Sequence, residues 1–174
     1  YVRYPRDGLF AILTLESHRH QSRIIGENLG TVPPAVNEAM QEHNVGDMFV
    51  VQYEIQPDKD EPLGPVSDRA VASMNTHDMS PFAAFWTGLE IDDRLDLGLL
   101  DEQGASIARD ERAAMRNALV ALLRRRDLLS PSSLDPEAVL QACLALLALS
   151  PAPIVLVNLE DLWEETLPQN TPGT

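Results

Sequence analysis

Apolar positions along this chain recur with two periods, and the switches between them mark out short strands and amphipathic helices. Asp7 can cap a helix carrying Leu9, Ile12, Leu13 and Glu16, which fades into the polar stretch 17–22. An apolar run at 23–26 then reads as a short buried strand that stops at Glu27, with a turn at Gly30. Thr31 is placed to cap a second helix. Pro33 and Pro34 fall in its first turn, where proline loses no helical hydrogen bond, and Val36, Ala39 and Met40 form its apolar face. Asn44 and Gly46 end it. Residues 48–53 and 71–74 read as two further strands, and the intervening 54–68 holds Pro57, Pro62 and Pro65 without helical period, so it reads as a loop.

Ser80 and Pro81 open a helix in which Phe82, Phe85, Trp86 and Leu89 fall on one side, a spacing that predicts a buried aromatic face rather than a ligand-stacking platform. Residues 105–126 carry Met115, Ala118, Leu119, Leu122 and Leu123 on one face, and Asp135 with Pro136 opens an Ala/Leu-rich helix. Pro151 and Pro153 introduce a last strand at 154–157. Short apolar strands alternating mainly with helices predict an α/β chain with a parallel sheet. Four strands cannot close a barrel, and a complete eight-stranded barrel takes about 250 residues. The order is that expected of the second half of such a barrel. Residues 1–174 are therefore read as a single partial domain whose unpaired strand edges favour a homodimer.

With 174 residues, 44% of them hydrophobic, the chain has the means to bury a core. A net charge of −14 argues against nucleic acid and anionic membrane surfaces as partners. Arg124, Arg125 and Arg126 form the one basic cluster, at a predicted helix end where cations complement the dipole. Cys143, the single cysteine, lies in an aliphatic stripe; it can form no intrachain disulfide, and a reducing, cytoplasmic setting is expected. No zinc-ligand spacing or calcium loop is present in the sequence, and His18, His20 and His43 lack partner carboxylates, so no metal is expected.

Two acids stand where a strand would stop and a helix begin: Glu27 and Asp78. In barrels of alternating strands and helices, catalytic side chains gather at the carboxy ends of strands, so the pair points to general acid/base chemistry on a polar substrate. A turn acid or a helix cap is the other role that either position supports.

Five blocks carry a family resemblance: Tyr1-Val2-Arg3-Tyr4-Pro5, Leu15-Glu16-Ser17-His18-Arg19, Ile25-Gly26-Glu27-Asn28-Leu29-Gly30-Thr31-Val32-Pro33, Asn75-Thr76-His77-Asp78 and Asn170-Thr171-Pro172-Gly173-Thr174. In kind and order the chain resembles the 4-α-glucanotransferases, or amylomaltases, of the α-amylase clan. The resemblance implies disproportionation of maltodextrins by a retaining mechanism, with maltooligosaccharide as the partner and no redox cofactor. It implies that Glu27 is the acid/base, Asp78 the transition-state stabiliser and His77 a sugar ligand, with Asn28 and Asn170 beside the substrate. Asn28 stands where many members carry aspartate. The family's nucleophile motif would lie upstream of Tyr1 and the family runs on beyond the closing Pro-Gly-Thr, so the resemblance implies a chain truncated at both ends and, in isolation, expected to be inactive. Another α-glucan hydrolase of the clan and a non-catalytic carbohydrate-binding or assembly module are the alternative readings.

Overall fold

A computed structural model describes residues 4–171. Tyr1, Val2 and Arg3 of the first family block, and Pro172, Gly173 and Thr174 of the last, lie outside the described residues. The chain gathers into two compact units, one of residues 1–49, 66–72 and 151–155, the other of 50–65, 73–150 and 156–174.

In the first unit, helix α1 (Arg6–His20) packs on α2 (Pro34–Glu42). The ring of Phe10 stacks on His43 at 5.3 Å, Thr14 Oγ1 pairs with His43 Nδ1 at 3.3 Å, and Arg6 donates to the Ala35 carbonyl. Asp7 sits inside the first turn of α1 instead of capping it, and the cap of α2 is Pro33 rather than Thr31, with Pro34 taking the first helical position. Ala39 and Met40 are buried as the spacing predicts, whereas α1 buries none of its residues and leaves Leu9, Ile12 and Leu13 exposed.

The strand expected at 23–26 is reduced to a single parallel bridge, Ile25 to Gly46. The Gly26 N–H donates to the Gly46 carbonyl and the Gly46 N–H to the Ile24 carbonyl, both at 2.9 Å, so the pairing is held by one residue on each side. Close approach explains why that residue is glycine. A Cβ on Gly46 would stand 2.5 Å from Ile25 Cδ1 and 2.8 Å from the Arg69 carbonyl oxygen.

Strands β1 (Met48–Val50), β2 (Val71–Ser73) and β3 (Ile154–Leu156) form a small parallel sheet in the order β1-β2-β3. Each begins in the first unit, and its last residue belongs to the second. The central β2 is buried throughout, as a strand covered on both faces should be, with Val71 and Ala72 followed by the buried polar Ser73. The edge strand β3 leaves Ile154 and Leu156 exposed. All three are shorter than their apolar runs. The run 48–53 in particular changes conformation at Val51, where the turn of helix α3 (Val51–Glu54) begins and sends Tyr53 to the surface.

The second unit is helical. Helix α4 (Phe82–Thr87) ends at Gly88, whose φ of 85° is open to glycine without a Cβ clash, and α5 (Leu89–Asp96) starts from the same residue. The break takes Leu89 out of the predicted aromatic face and exposes it, while Phe82, Phe85 and Trp86 are buried. Helix α6 (Glu102–Arg125) starts three residues before the predicted 105 because Asp101 caps it, accepting the Gly104 N–H at 2.7 Å. Helix α7 (Pro136–Ala148) begins as predicted, with Asp135 accepting the Ala138 N–H. Packing runs α4 on α5 and α7, and α6 on α5 and α7. It buries Leu119, Leu122, Leu123, Val139, Leu140 and Leu147, each contributing about 1.5–3 kcal/mol by removal from water. Arg125 and Arg126 turn to the loop carbonyl of Asp60 and the carboxylate of Glu61, so the basic cluster is used within the chain.

Two outcomes follow from this packing. Gly46→Ala should destabilise the fold by about 1–3 kcal/mol, because one of the two atoms it meets is backbone; urea melts of the variant against the parent check this. Burial lifts the Cys143 thiol to about 12, so it should resist an aromatic disulfide reagent at pH 8 and react only when denaturant is added.

Candidate active site

The site residues expected from sequence fall in both units. Glu27 and Asn28 belong to the first. Glu27 is exposed on the irregular segment that leaves the Ile25 bridge, and Gly30, at φ 73°, turns the chain three residues later. Asn28 is half-buried, and its Oδ1 accepts the Met48 N–H at 2.9 Å. That bond ties the segment after Glu27 to the start of β1. It uses the side chain's acceptor internally and leaves the Nδ2 group as the part able to meet a ligand. Asn28 also lines a cavity of about 300 Å³ with Glu38, Asp47 and Arg69.

In the second unit, three expected residues come together: His77, Asp78 and Asn170. Asn170 Nδ2 donates to Asp78 Oδ1 at 2.6 Å across a long stretch of sequence, and His77 Nε2 lies 3.5 Å from the same oxygen. Both His77 and Asp78 are exposed, on the loop between β2 and α4. The Asp78 N–H donates to Thr76 Oγ1 at 3.3 Å and the Met79 N–H to the Thr76 carbonyl at 3.1 Å, a local turn that presents the Asp78 carboxylate outward.

Asp78 and Asn170 stand in the wall of an open cleft of about 840 Å³. Its other walls come from Gln52, the α5 residues Glu90, Asp93, Arg94 and Asp96, Arg112 of α6, and the segment of Leu167 and Pro168. Glu165 shapes that last segment by accepting the Thr166 and Leu167 N–H groups at 2.8 and 3.1 Å, which pulls its carboxyl below the usual range. Deeper in the wall, Arg112 lies 3.8 Å over the Phe85 ring, donates to the Phe85 carbonyl at 2.5 Å and approaches Glu90 Oε1 at 2.5 Å. The Arg112 guanidinium is thus the charged partner of the Glu90 carboxylate. Burial raises the Glu90 carboxyl above its ordinary value, and the Arg112 charge opposes the rise.

Beneath the loop lies a polar group that the sequence reading did not single out. Asp161, 3% exposed, follows β3 in the 3-10 turn Leu159–Trp163. Its Oδ1 accepts the Phe82 N–H at 2.7 Å, and its two oxygens accept Asn75 Nδ2 at 3.2 and 3.0 Å. Asn158 Nδ2 in turn donates to Asn75 Oδ1. Burial raises the Asp161 carboxyl, while the Phe82 N–H and the Asn75 amide pull it back. A sequence signal existed. Asn158 and Asp161 stand just beyond a strand, the position where side chains of barrels reach the functional face.

No cluster of three or more metal-ligating side chains occurs among the described residues, and none of their helices is long and apolar enough to cross a membrane. A carboxylate braced by an amide and flanked by an imidazole can accept hydrogen bonds from hydroxyl groups and stabilise positive charge developing beside it.

The glycoside hydrolase family 77 model, described as 4-alpha-glucanotransferase, matches residues 1–174. A 4-alpha-glucanotransferase of Haemophilus influenzae is 30% identical over 181 residues, covering 100% of this chain and 26% of that protein. One of Mycobacterium bovis is 32% identical over 187 residues, covering 100% and 25%. The chain thus spans about a quarter of the length of the curated relatives it matches. Among solved structures, amylomaltase from Corynebacterium glutamicum matches with a TM-score of 0.80 at 24% identity, over 100% of this chain and 26% of that one. Amylomaltase from Streptococcus agalactiae in complex with acarbose matches with a TM-score of 0.67 at 17% identity, over 99% and 30%. These likenesses establish the α/β fold. The family match from end to end makes this chain a member of the 4-alpha-glucanotransferase family, glycoside hydrolase family 77.

Proposed function

We propose that these residues are the second half of a (β/α)8 catalytic domain that transfers α-1,4-glucan segments between maltodextrins with retention of anomeric configuration. The observation that carries the reading is the contact of Asp78, Asn170 and His77 at the cleft, since all three come from the motif blocks of the family. In this reading Asp78 holds ring hydroxyls of the reacting glucose and stabilises the oxocarbenium-like transition state. His77 hydrogen-bonds the same sugar. Glu27 starts protonated, gives its proton to the leaving glycosidic oxygen, and then takes one from the acceptor hydroxyl. Its exposure, on a segment that is neither helix nor strand, suits a group that must exchange protons with the substrate. Asn28 and Asn170 hold the two acids' surroundings and lend amide hydrogens to the sugar.

The covalent step needs a carboxylate on the opposite face of the ring, and no acid among these 174 residues has the family's context for that nucleophile. It is proposed to lie in sequence preceding Tyr1. The acarbose complex of the streptococcal amylomaltase supports an α-glucan ligand for the cleft. The exposed Ile154 and Leu156 on edge strand β3 support self-association of the 174-residue chain when it is alone.

Maltotriose turnover with product lengths resolved is the decisive measurement, made on a protein that includes the upstream half and on this chain by itself. The longer protein should yield both shorter and longer maltodextrins without net gain of reducing ends. Glu27→Gln and Asp78→Asn in it should each lower kcat by roughly 10²–10⁴-fold. A net gain of reducing ends would favour a hydrolase of the clan, and turnover by the 174-residue chain alone would overturn the assignment of the nucleophile to upstream sequence. Sedimentation of this chain across a concentration series should show a dimer; a strictly monomeric species would dismiss self-association.

A further inference from the structure

The loop that carries His77 and Asp78 has a fastening at each end, and both fastenings are made to the same carboxylate. At the start of the loop, buried Asn75 donates its Nδ2 group to both oxygens of Asp161. At its end, the Phe82 N–H donates to Asp161 Oδ1. Asn158 fixes the orientation of the Asn75 amide by donating to its Oδ1, so that Nδ2 is directed at Asp161. Between the fastenings, the Asp78 N–H donates to Thr76 Oγ1 and the Met79 N–H to the Thr76 carbonyl.

Burying a carboxylate without a countercharge is costly, and here the cost is offset by hydrogen bonds from neutral donors. A residue serving stability alone would be better replaced by a well-packed apolar side chain. The carboxylate does something that an apolar group cannot: it joins two chain positions on either side of Asp78 and fixes their separation. We propose that Asp161 is a positioning residue for the transfer reaction, closing the Asn75–Phe82 loop into a fixed frame so that Asp78 and His77 meet the sugar in a single geometry. Asp161 does not touch the substrate. It acts through the backbone on either side of Asp78, while Asn170 steadies the Asp78 carboxylate from the other side.

This inference rests on the role proposed for Asp78, and the test separates the two. In the longer, active protein, Asp161→Ala should lower kcat on maltotriose by on the order of 100-fold with KM changed by less than about 3-fold, the scale of a misplaced reacting geometry. Asp161→Asn, which keeps the acceptor for Phe82 and loses one bond from Asn75, should fall between it and the parent and guards against a failure of the alanine variant to fold. In an Asp78→Asn background, adding Asp161→Ala should change the residual rate by less than about 3-fold, because the group being positioned is gone. Amide hydrogen exchange should quicken at Phe82 and across residues 76–80 in both Asp161 variants, with helix α6 unaffected.

Unchanged exchange in that loop would overturn the proposal whether or not the protein turns over. So would parental kcat in folded Asp161→Ala, or an equal loss of rate with and without the Asp78 carboxylate, which is the signature of general destabilisation. An Asp78→Asn variant with parental activity would instead overturn the functional reading of Asp78, and the exchange measurement would still decide whether Asp161 frames the loop.

Discussion

Burial of the aromatic face of α4 is the constraint on which the rest of the second unit depends. Phe82 and Trp86 stack at 5.6 Å, Phe85 closes the row, and all three are inaccessible to water. Because α4 packs on both α5 and α7, its position sets theirs, and because Phe82 is its first residue, the same burial sets where the loop from β2 must end. The polar features of the cleft are arranged around these rings. Arg112 lies over Phe85 and Arg116 over Trp86, at 3.8 and 4.6 Å, so two guanidinium planes from α6 cover the aromatic edge with the charge at the surface of the core rather than inside it.

Much of this was legible in the sequence, and what was not has physical causes. The α4 aromatic spacing, the α7 start at Asp135 and Pro136, and the loop through Pro57 and Pro62 were readable because each rests on local chemistry: helical period, a cap, or proline's missing donor. Local period failed where a single residue or a distant partner decides the conformation. Gly88 splits a continuous helical pattern at one φ angle. The apolar run 23–26 has only Gly46 to pair with, and the run 48–53 leaves the sheet after Val50, so an apolar pattern alone overstates both strands. Helix α1 shows the reverse case, an apolar pattern whose residues remain exposed among the described residues.

For the candidate site the division is similar. His77, Asp78 and Asn170 were named from motif blocks widely separated in sequence, and the structure gathers them at one oxygen. Asn28 was named as a substrate neighbour, and the structure adds a bond to the Met48 N–H that no sequence pattern announces. Asp161 escaped notice because an acid in an acidic stretch, beside Glu160, reads as a solvated one until its 3% exposure is seen. The Glu90 and Arg112 contact was hidden in the same way, since the two residues stand on different helices and their pairing depends on how α5 meets α6.

The chain of Asn158, Asn75 and Asp161 also carries an evolutionary consequence. Each amide is oriented by its neighbour, with the donor of one meeting the acceptor of the next, and the series ends on a carboxylate that can only accept when ionised. An aspartate at 75 would set two carboxylates against each other, and a change at 158 would leave the Asn75 amide free to turn its oxygen toward Asp161. Substitutions at these three positions are therefore not independent events. A change at one of them alters the hydrogen bonding left to the other two.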